Sequence, residues 1–117
     1  MAIIEKVDTI CLTVQQLEKA TSWYEEVLGL TVGFKGEGYC ILNIPGGGIP
    51  LTLEEKKGDK AEGYSTYPIF FTKDIESSYT ALKEKKVKMS ERQSDGTNHF
   101  FDLYDLDGNR LQICYWT

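Results

Sequence analysis

Asn98-His-Phe-Phe-Asp-Leu-Tyr104, Asp105-Leu-Asp-Gly-Asn109 and Arg110-Leu-Gln-Ile-Cys-Tyr-Trp116 are consecutive, and their reading decides the fold. Asp, Gly and Asn supply the local side-chain bonds and the tolerance of positive φ that a reversing chain needs. The flanking runs are rich in aromatic and branched residues, which makes the stretch a β-hairpin. Pairing Tyr104 with Arg110 carries on to Asp102 with Gln112 and Phe100 with Cys114. Side chains alternate faces along a strand. One face therefore holds Phe101, Leu103, Leu111, Ile113 and Tyr115, and it calls for a helix against it. The other holds Phe100, Asp102, Tyr104, Arg110, Gln112, Cys114 and Trp116, a polar and aromatic surface suited to a ligand or to solvent. A slip of one residue would exchange the two faces.

Outward from the hairpin, the rest of the chain reads as strands and two helices. Ile3 to Val14 is a strand, with Ile10, Leu12 and Val14 on one side and Thr9, Cys11 and Thr13 on the other. Leu17, Ala20, Tyr24 and Leu28 recur at helical spacing, and Gly29 stands where a helix is capped. Leu30 to Phe34, Tyr39 to Ile44 and Ile49 to Glu54 follow as short strands. Gly46-Gly47-Gly48 joins strand to strand with no helix after it to hold an anion, so it is a turn. Glu55 to Gly63 is polar, without a period, and reads as a linker. The order then repeats. Tyr67 to Thr72 is a strand, Asp74 an N-cap, and Ile75, Tyr79, Leu82 and Lys86 a helical stripe. Val87 to Met89 is a short strand, and Ser90 to Thr97 a loop. Laying Ile75 on Leu17 gives an offset of 58 positions (75 − 17), which also lays Phe70 on Leu12 and Leu82 on Tyr24. The organisation is two copies of strand–helix–strand–strand–strand in one domain spanning 1–117, with modules at 1–60 and 61–117.

The net charge of −5 argues against nucleic acid, which needs a clustered basic surface, and the one dense lysine run, Lys83 to Lys88, alternates with Glu84 and apolar positions and reads as a solvated helix end. The charge permits a cationic ligand. No apolar run reaches membrane-spanning length and the start lacks a signal-peptide pattern, so neither a membrane nor export is expected, and the cytoplasm is the expected address. Cys11, Cys40 and Cys114 are too scattered for a disulfide scaffold or a zinc knuckle. They read as reduced, buried thiols. His99, the single histidine, has no nucleophile or carboxylate at a telling spacing and reads as a surface residue on an edge strand.

Three stretches resemble the vicinal oxygen chelate superfamily of glyoxalases, bleomycin-resistance proteins and extradiol dioxygenases. They are Val7-Asp-Thr-Ile-Cys-Leu-Thr-Val14, Trp23-Tyr-Glu-Glu-Val-Leu-Gly-Leu30 and Asp105-Leu-Asp-Gly-Asn109. The second is close to the family's Phe-Tyr-x-x-Leu-Gly-Leu pattern. In the third, Leu106 stands where the family usually has Pro, so one restraint on the turn is missing. The resemblance implies an α+β fold of two βαβββ modules whose mixed sheet curls around a central cleft. It also implies four inward positions that hold a divalent ion in metal-dependent members, usually as His, Glu, His and Glu. Here they fall on Thr9, Thr52, Tyr67 and Gln112. Neutral oxygens of this kind are poor ligands for a transition ion. The expectation is no metal, no cofactor and no catalytic residue.

What remains is a small-molecule binding face. Thr9, Thr52, Tyr67 and Gln112 would supply hydrogen bonds, and Asp102 would offer charge or simply pair with Arg110. Phe71, Phe100 and Trp116 would supply stacking, with Cys114 beside them. The leading expectation is a metal-free protein that sequesters a cationic or planar aromatic compound. A glyoxalase- or dioxygenase-type enzyme with an atypical site is the alternative, and a regulatory module with a self-filled cleft is a third reading. The family resemblance also implies a homodimer.

Overall fold

A computed structural model describes residues 6–57 and 66–116. The chain forms two compact units, Met1–Lys60 and Ala61–Thr117. Each starts strand–helix–strand and has its own mixed sheet, the first βαβββ and the second with one short strand more, and the fold class is α+β.

In the first unit, β1 (Ile10–Val14), α1 (Leu17–Leu28), β2 (Thr31–Lys35), β3 (Tyr39–Asn43) and β4 (Leu51–Glu55) build a sheet in the order β1-β4-β3-β2. β1 runs parallel to β4, which is why a helix must carry the chain between them. The ladder begins at Ile10, later than the apolar run suggested, opposite Leu51, the residue after Pro50. Residues 3–5 of the expected strand lie outside the described residues. Leu12, Val14, Leu42, Leu51, Leu53 and Cys40 are buried on one side, together with Ala20 and Tyr24 of α1. Gly29 adopts φ 74, a left-handed conformation that costs a residue with a Cβ and costs Gly little. That turn lets the Gly29 N–H reach the Glu25 carbonyl at 3.1 Å and the Leu30 N–H reach the Tyr24 carbonyl at 3.2 Å. Glu55, expected in the linker, instead closes β4. Its carboxylate accepts the Leu17 N–H at 2.9 Å and so caps α1, whose own N-cap Gln16 makes no such bond. The remainder of the expected linker, from 58 onward, lies outside the described residues.

In the second unit, β5 (Ile69–Phe71), α2 (Ile75–Glu84), β6 (Lys88–Met89), β7 (Gln93–Ser94), β8 (Asn98–Tyr104) and β9 (Arg110–Trp116) give the order β5-β9-β8-β6, with β7 also on β8. The hairpin register is Tyr104 with Arg110, Asp102 with Gln112 and Phe100 with Cys114. Phe101, Leu103, Leu111 and Ile113 are buried accordingly, each contributing roughly 1.5–3 kcal/mol of hydrophobic stabilisation. Tyr79 of α2 meets Phe101 edge to face, centroids 5.0 Å apart. Asp74 accepts the Ser77 N–H at 3.0 Å and caps α2. Asp105 organises the hairpin turn, taking the N–H groups of Asp107 and Asn109 and the Asn109 side-chain amide at 2.8–2.9 Å.

Several local expectations are corrected. Lys86 continues the helical spacing but sits beyond α2 at φ 60, where the chain has already reversed. The segment 90–97 is not all loop, since Gln93–Ser94 pairs with β8. That pairing, with β9 on the other side, makes β8 an interior strand, so His99 is no edge residue. It is half-buried and stacks toward Tyr115. Cys40 and Cys114 are buried, whereas Cys11 is exposed.

Candidate functional site

The polar face of the second unit is assembled by strand alternation. Tyr67, Phe71, Arg110, Gln112, Cys114, Trp116, Phe100 and Asp102 all have the parity opposite to the buried core set. At its centre, Gln112 Nε2 donates to Asp102 Oδ1 at 2.9 Å. Arg110 holds the other carboxylate oxygen at 2.9 Å. The same guanidinium lies 3.9 Å over the Tyr67 ring, within the range of a favourable cation–π contact. Tyr67, Arg110, Asp102 and Gln112 are therefore one connected chain of interactions. Arg110 is its hub, and it was absent from the expected binding set. The signal for it was only its place on the same face, next to Gln112 in register.

Aromatic side chains occupy the face toward the end of β9. Phe71 and Trp116 are 49% and 57% exposed, with ring centroids 5.1 Å apart. Tyr115 is 5.9 Å from Phe71. Phe100 is half-buried opposite Cys114 and makes no ring contact among the described residues. The expected wall of Tyr67, Phe71, Phe100 and Trp116 is thus divided: Tyr67 belongs to the ionic chain, and Phe71 with Trp116 forms an exposed ring pair tilted at 59°. Gln112 and Cys114, on the same face, are 7% and 8% exposed. Burial pushes the Cys114 thiol above its ordinary pKa, because a thiolate there would be poorly solvated.

The first unit contributes a separate pair. Thr9 Oγ1 donates to the Pro50 carbonyl at 2.9 Å and lies 2.8 Å from Thr52 Oγ1. A hydroxyl has one proton, so Thr52 must be the donor in the second bond. The pair then presents acceptor lone pairs and no spare donor. Cys11, opposite Thr52 in the β1–β4 ladder, has its thiol pKa raised by desolvation and then by the Glu54 carboxylate.

The four positions implied by the resemblance do not fit a divalent ion. Thr9 and Thr52 are hydrogen-bonded to one another, Tyr67 is covered by a cation, and Gln112 donates its amide to Asp102. None is an imidazole or a carboxylate. Arg110 is also held beside Gln112, and a dication there would meet its charge. Among the described residues, no group of three or more His, Cys, Asp or Glu side chains is placed to hold a metal. No helix among them is long and apolar enough to cross a membrane.

Comparison with known proteins agrees with this architecture. A family model described as the Glyoxalase/Bleomycin resistance protein/Dioxygenase superfamily matches residues 6–113. The chain is 31% identical to the metallothiol transferase FosB of Staphylococcus epidermidis over 118 aligned positions, covering 95% of this chain and 84% of that protein. Its fold is similar to that of TnmS3, an antibiotic binding protein from Streptomyces sp. CB03234, with TM-score 0.82, 19% identity and full coverage of both chains. It is also similar to FosX, a genomically encoded fosfomycin resistance protein from Listeria monocytogenes, with TM-score 0.80, 18% identity, and coverage of 98% of this chain and 96% of that one. The chain belongs to the glyoxalase/bleomycin resistance protein/dioxygenase superfamily.

Proposed function

We propose that this chain is a metal-independent small-molecule binding protein that captures a planar aromatic or cationic compound and withholds it from its target. The observation that carries the reading is the open Phe71–Trp116 ring pair beside a polar chain whose members already satisfy one another. Aromatic faces left open in this way offer a large stacking area at low entropic cost. Asp102 has both oxygens engaged, so attraction for a cation comes from the net charge of −5 more than from that carboxylate. Planar aromatics are therefore the favoured class. The likeness in fold to an antibiotic binding protein is in keeping with capture.

A thermal-shift screen with planar aromatic and cationic compounds tests this. A true ligand at about a hundred times its Kd stabilises the native state by about 2.7 kcal/mol. Absence of any concentration-dependent rise across such a panel would remove the basis for sequestration.

The second reading is an enzyme of the glyoxalase or dioxygenase type with an atypical site. It is favoured by the 31% identity to a protein named as a metallothiol transferase. Turnover that appears only with added Mn, Fe, Ni or Zn would select it. We further propose that the chain works in the cytoplasm as a homodimer. Light scattering of the purified protein that gives a single-chain mass would rule the dimer out.

A further inference from the structure

Asn98 opens β8 opposite Trp116 and shares the parity of Phe100 and Asp102 on the ligand-facing side of the second unit's sheet. Its Oδ1 is buried without a hydrogen-bond partner among the described residues. Buried acceptors in native proteins are nearly always paired, so one that is not calls for a reason. The residue is not loosely held. Its N–H donates to Asp95 Oδ1 at 2.8 Å, and its carbonyl accepts the Asp95 N–H at 3.1 Å. β9 pairs with it on one side, while β7 meets the next residue, His99, on the other. The orphaned atom is therefore carried on a backbone fixed from both directions, next to an indole that is 57% exposed.

We propose that Asn98 is a specificity-determining residue: it accepts a hydrogen bond from an N–H on the edge of a planar heteroaromatic ligand stacked on Trp116, with the Phe71 ring, tilted 59° to the indole, meeting it at an angle. This rests on the binding reading given above and adds to it the chemistry of the ligand's edge. Asp102 is less suited to that role, because each of its oxygens already has a partner, Gln112 on one and Arg110 on the other. Asn98 as a whole is only half-buried, and the terminal torsion of an Asn side chain is broad. The oxygen is closed to solvent as it stands, so a ligand N–H reaches it only when that torsion turns on binding. A ligand lacking the N–H would have to leave that acceptor unpaired beneath it, and sites of this kind discriminate strongly on one hydrogen bond.

The test uses norharmane, a planar tricycle with one indole N–H, and its indole-N-methyl derivative, titrated by fluorescence against the wild type, Asn98→Leu and Asn98→Asp. The wild type is expected to prefer norharmane by about tenfold. Asn98→Leu should weaken norharmane to the level of the methylated probe and leave the latter unchanged, while the melting temperature of the free variant does not fall. Asn98→Asp keeps an acceptor and should keep the preference. Equal affinity of the wild type for both probes, or a preference that survives Asn98→Leu, overturns the role of Asn98 while binding itself stands. Failure of both probes to bind the wild type overturns the inference together with the binding reading beneath it.

Discussion

Arg110 holds Asp102 at 2.9 Å, yet the two are unequally placed: the Arg110 side chain is 43% exposed and that of Asp102 is 15%. The ion pair is therefore screened on the arginine side, and such pairs contribute about 1 kcal/mol or less. Asp102 also receives the buried Gln112 amide. Asp102→Ala should accordingly cost more than Arg110→Ala, about 1–3 kcal/mol, because it leaves the Gln112 N–H buried without an acceptor. Urea denaturation of both variants checks the order. An Arg110 variant at least as damaging as the Asp102 variant would show that the exposed ion pair dominates instead.

The hairpin turn offers a gain in stability. The Gly108 N–H bonds to the Asp105 carbonyl at 3.1 Å, which puts Leu106 at the second position of a four-residue turn, and its side chain is exposed. Proline is favoured there because its φ is already fixed near the required value. Leu106→Pro should stabilise the protein by about 0.4–1 kcal/mol through the unfolded state. A loss of stability on substitution would mean that the Leu106 N–H or φ is needed as it stands.

Thiol chemistry should be slow and selective. Cys40 and Cys114 are buried, so Cys11 alone should react readily with iodoacetamide in the folded protein. Its thiol is raised above the ordinary value by desolvation and by Glu54, so the rate should still be climbing at about pH 9. Glu54→Gln removes the second cause and should shift the profile to lower pH. A plateau already reached near neutrality would contradict this.

Asp95 supplies a predicted acid limb. Backbone N–H groups of Asn98 and Thr97 bind its carboxylate and lower its pKa below the ordinary value of 3.8. A depressed carboxyl contributes stability that is complete above the unfolded pKa and is lost as pH falls through the folded one. The stability difference between the wild type and Asp95→Ala should thus be constant at neutral pH and shrink only in the acid range. Paired denaturation curves across pH measure it, and a difference that vanished above pH 5 would refute the assignment.

The hairpin was legible because two independent signals, strand alternation and an Asp-Leu-Asp-Gly-Asn turn, pick the same register. α1 was legible from its apolar stripe and from Gly29. Strand starts were not, since β1 pairs only from Ile10, opposite the residue after Pro50, and β5 begins only after Pro68. β7 is short and polar and exists through its pairing with β8, a tertiary effect that no local pattern carries. Lys86 keeps helical spacing after the helix has ended, so periodicity ran past the turn. Among site residues, alternation placed Asp102 and Gln112 opposite one another. It gave no sign that Arg110 reaches across to Tyr67, because a long side chain's direction is settled by its neighbours in space. The unpaired oxygen of Asn98 was likewise visible only in three dimensions.

At the four positions that the family resemblance assigns to ion ligands stand neutral side chains that are already engaged. Elemental mass spectrometry after dialysis against Mn, Fe, Ni and Zn tests this most directly. The account predicts far less than one ion per chain for every metal; one tightly retained ion per chain would contradict it.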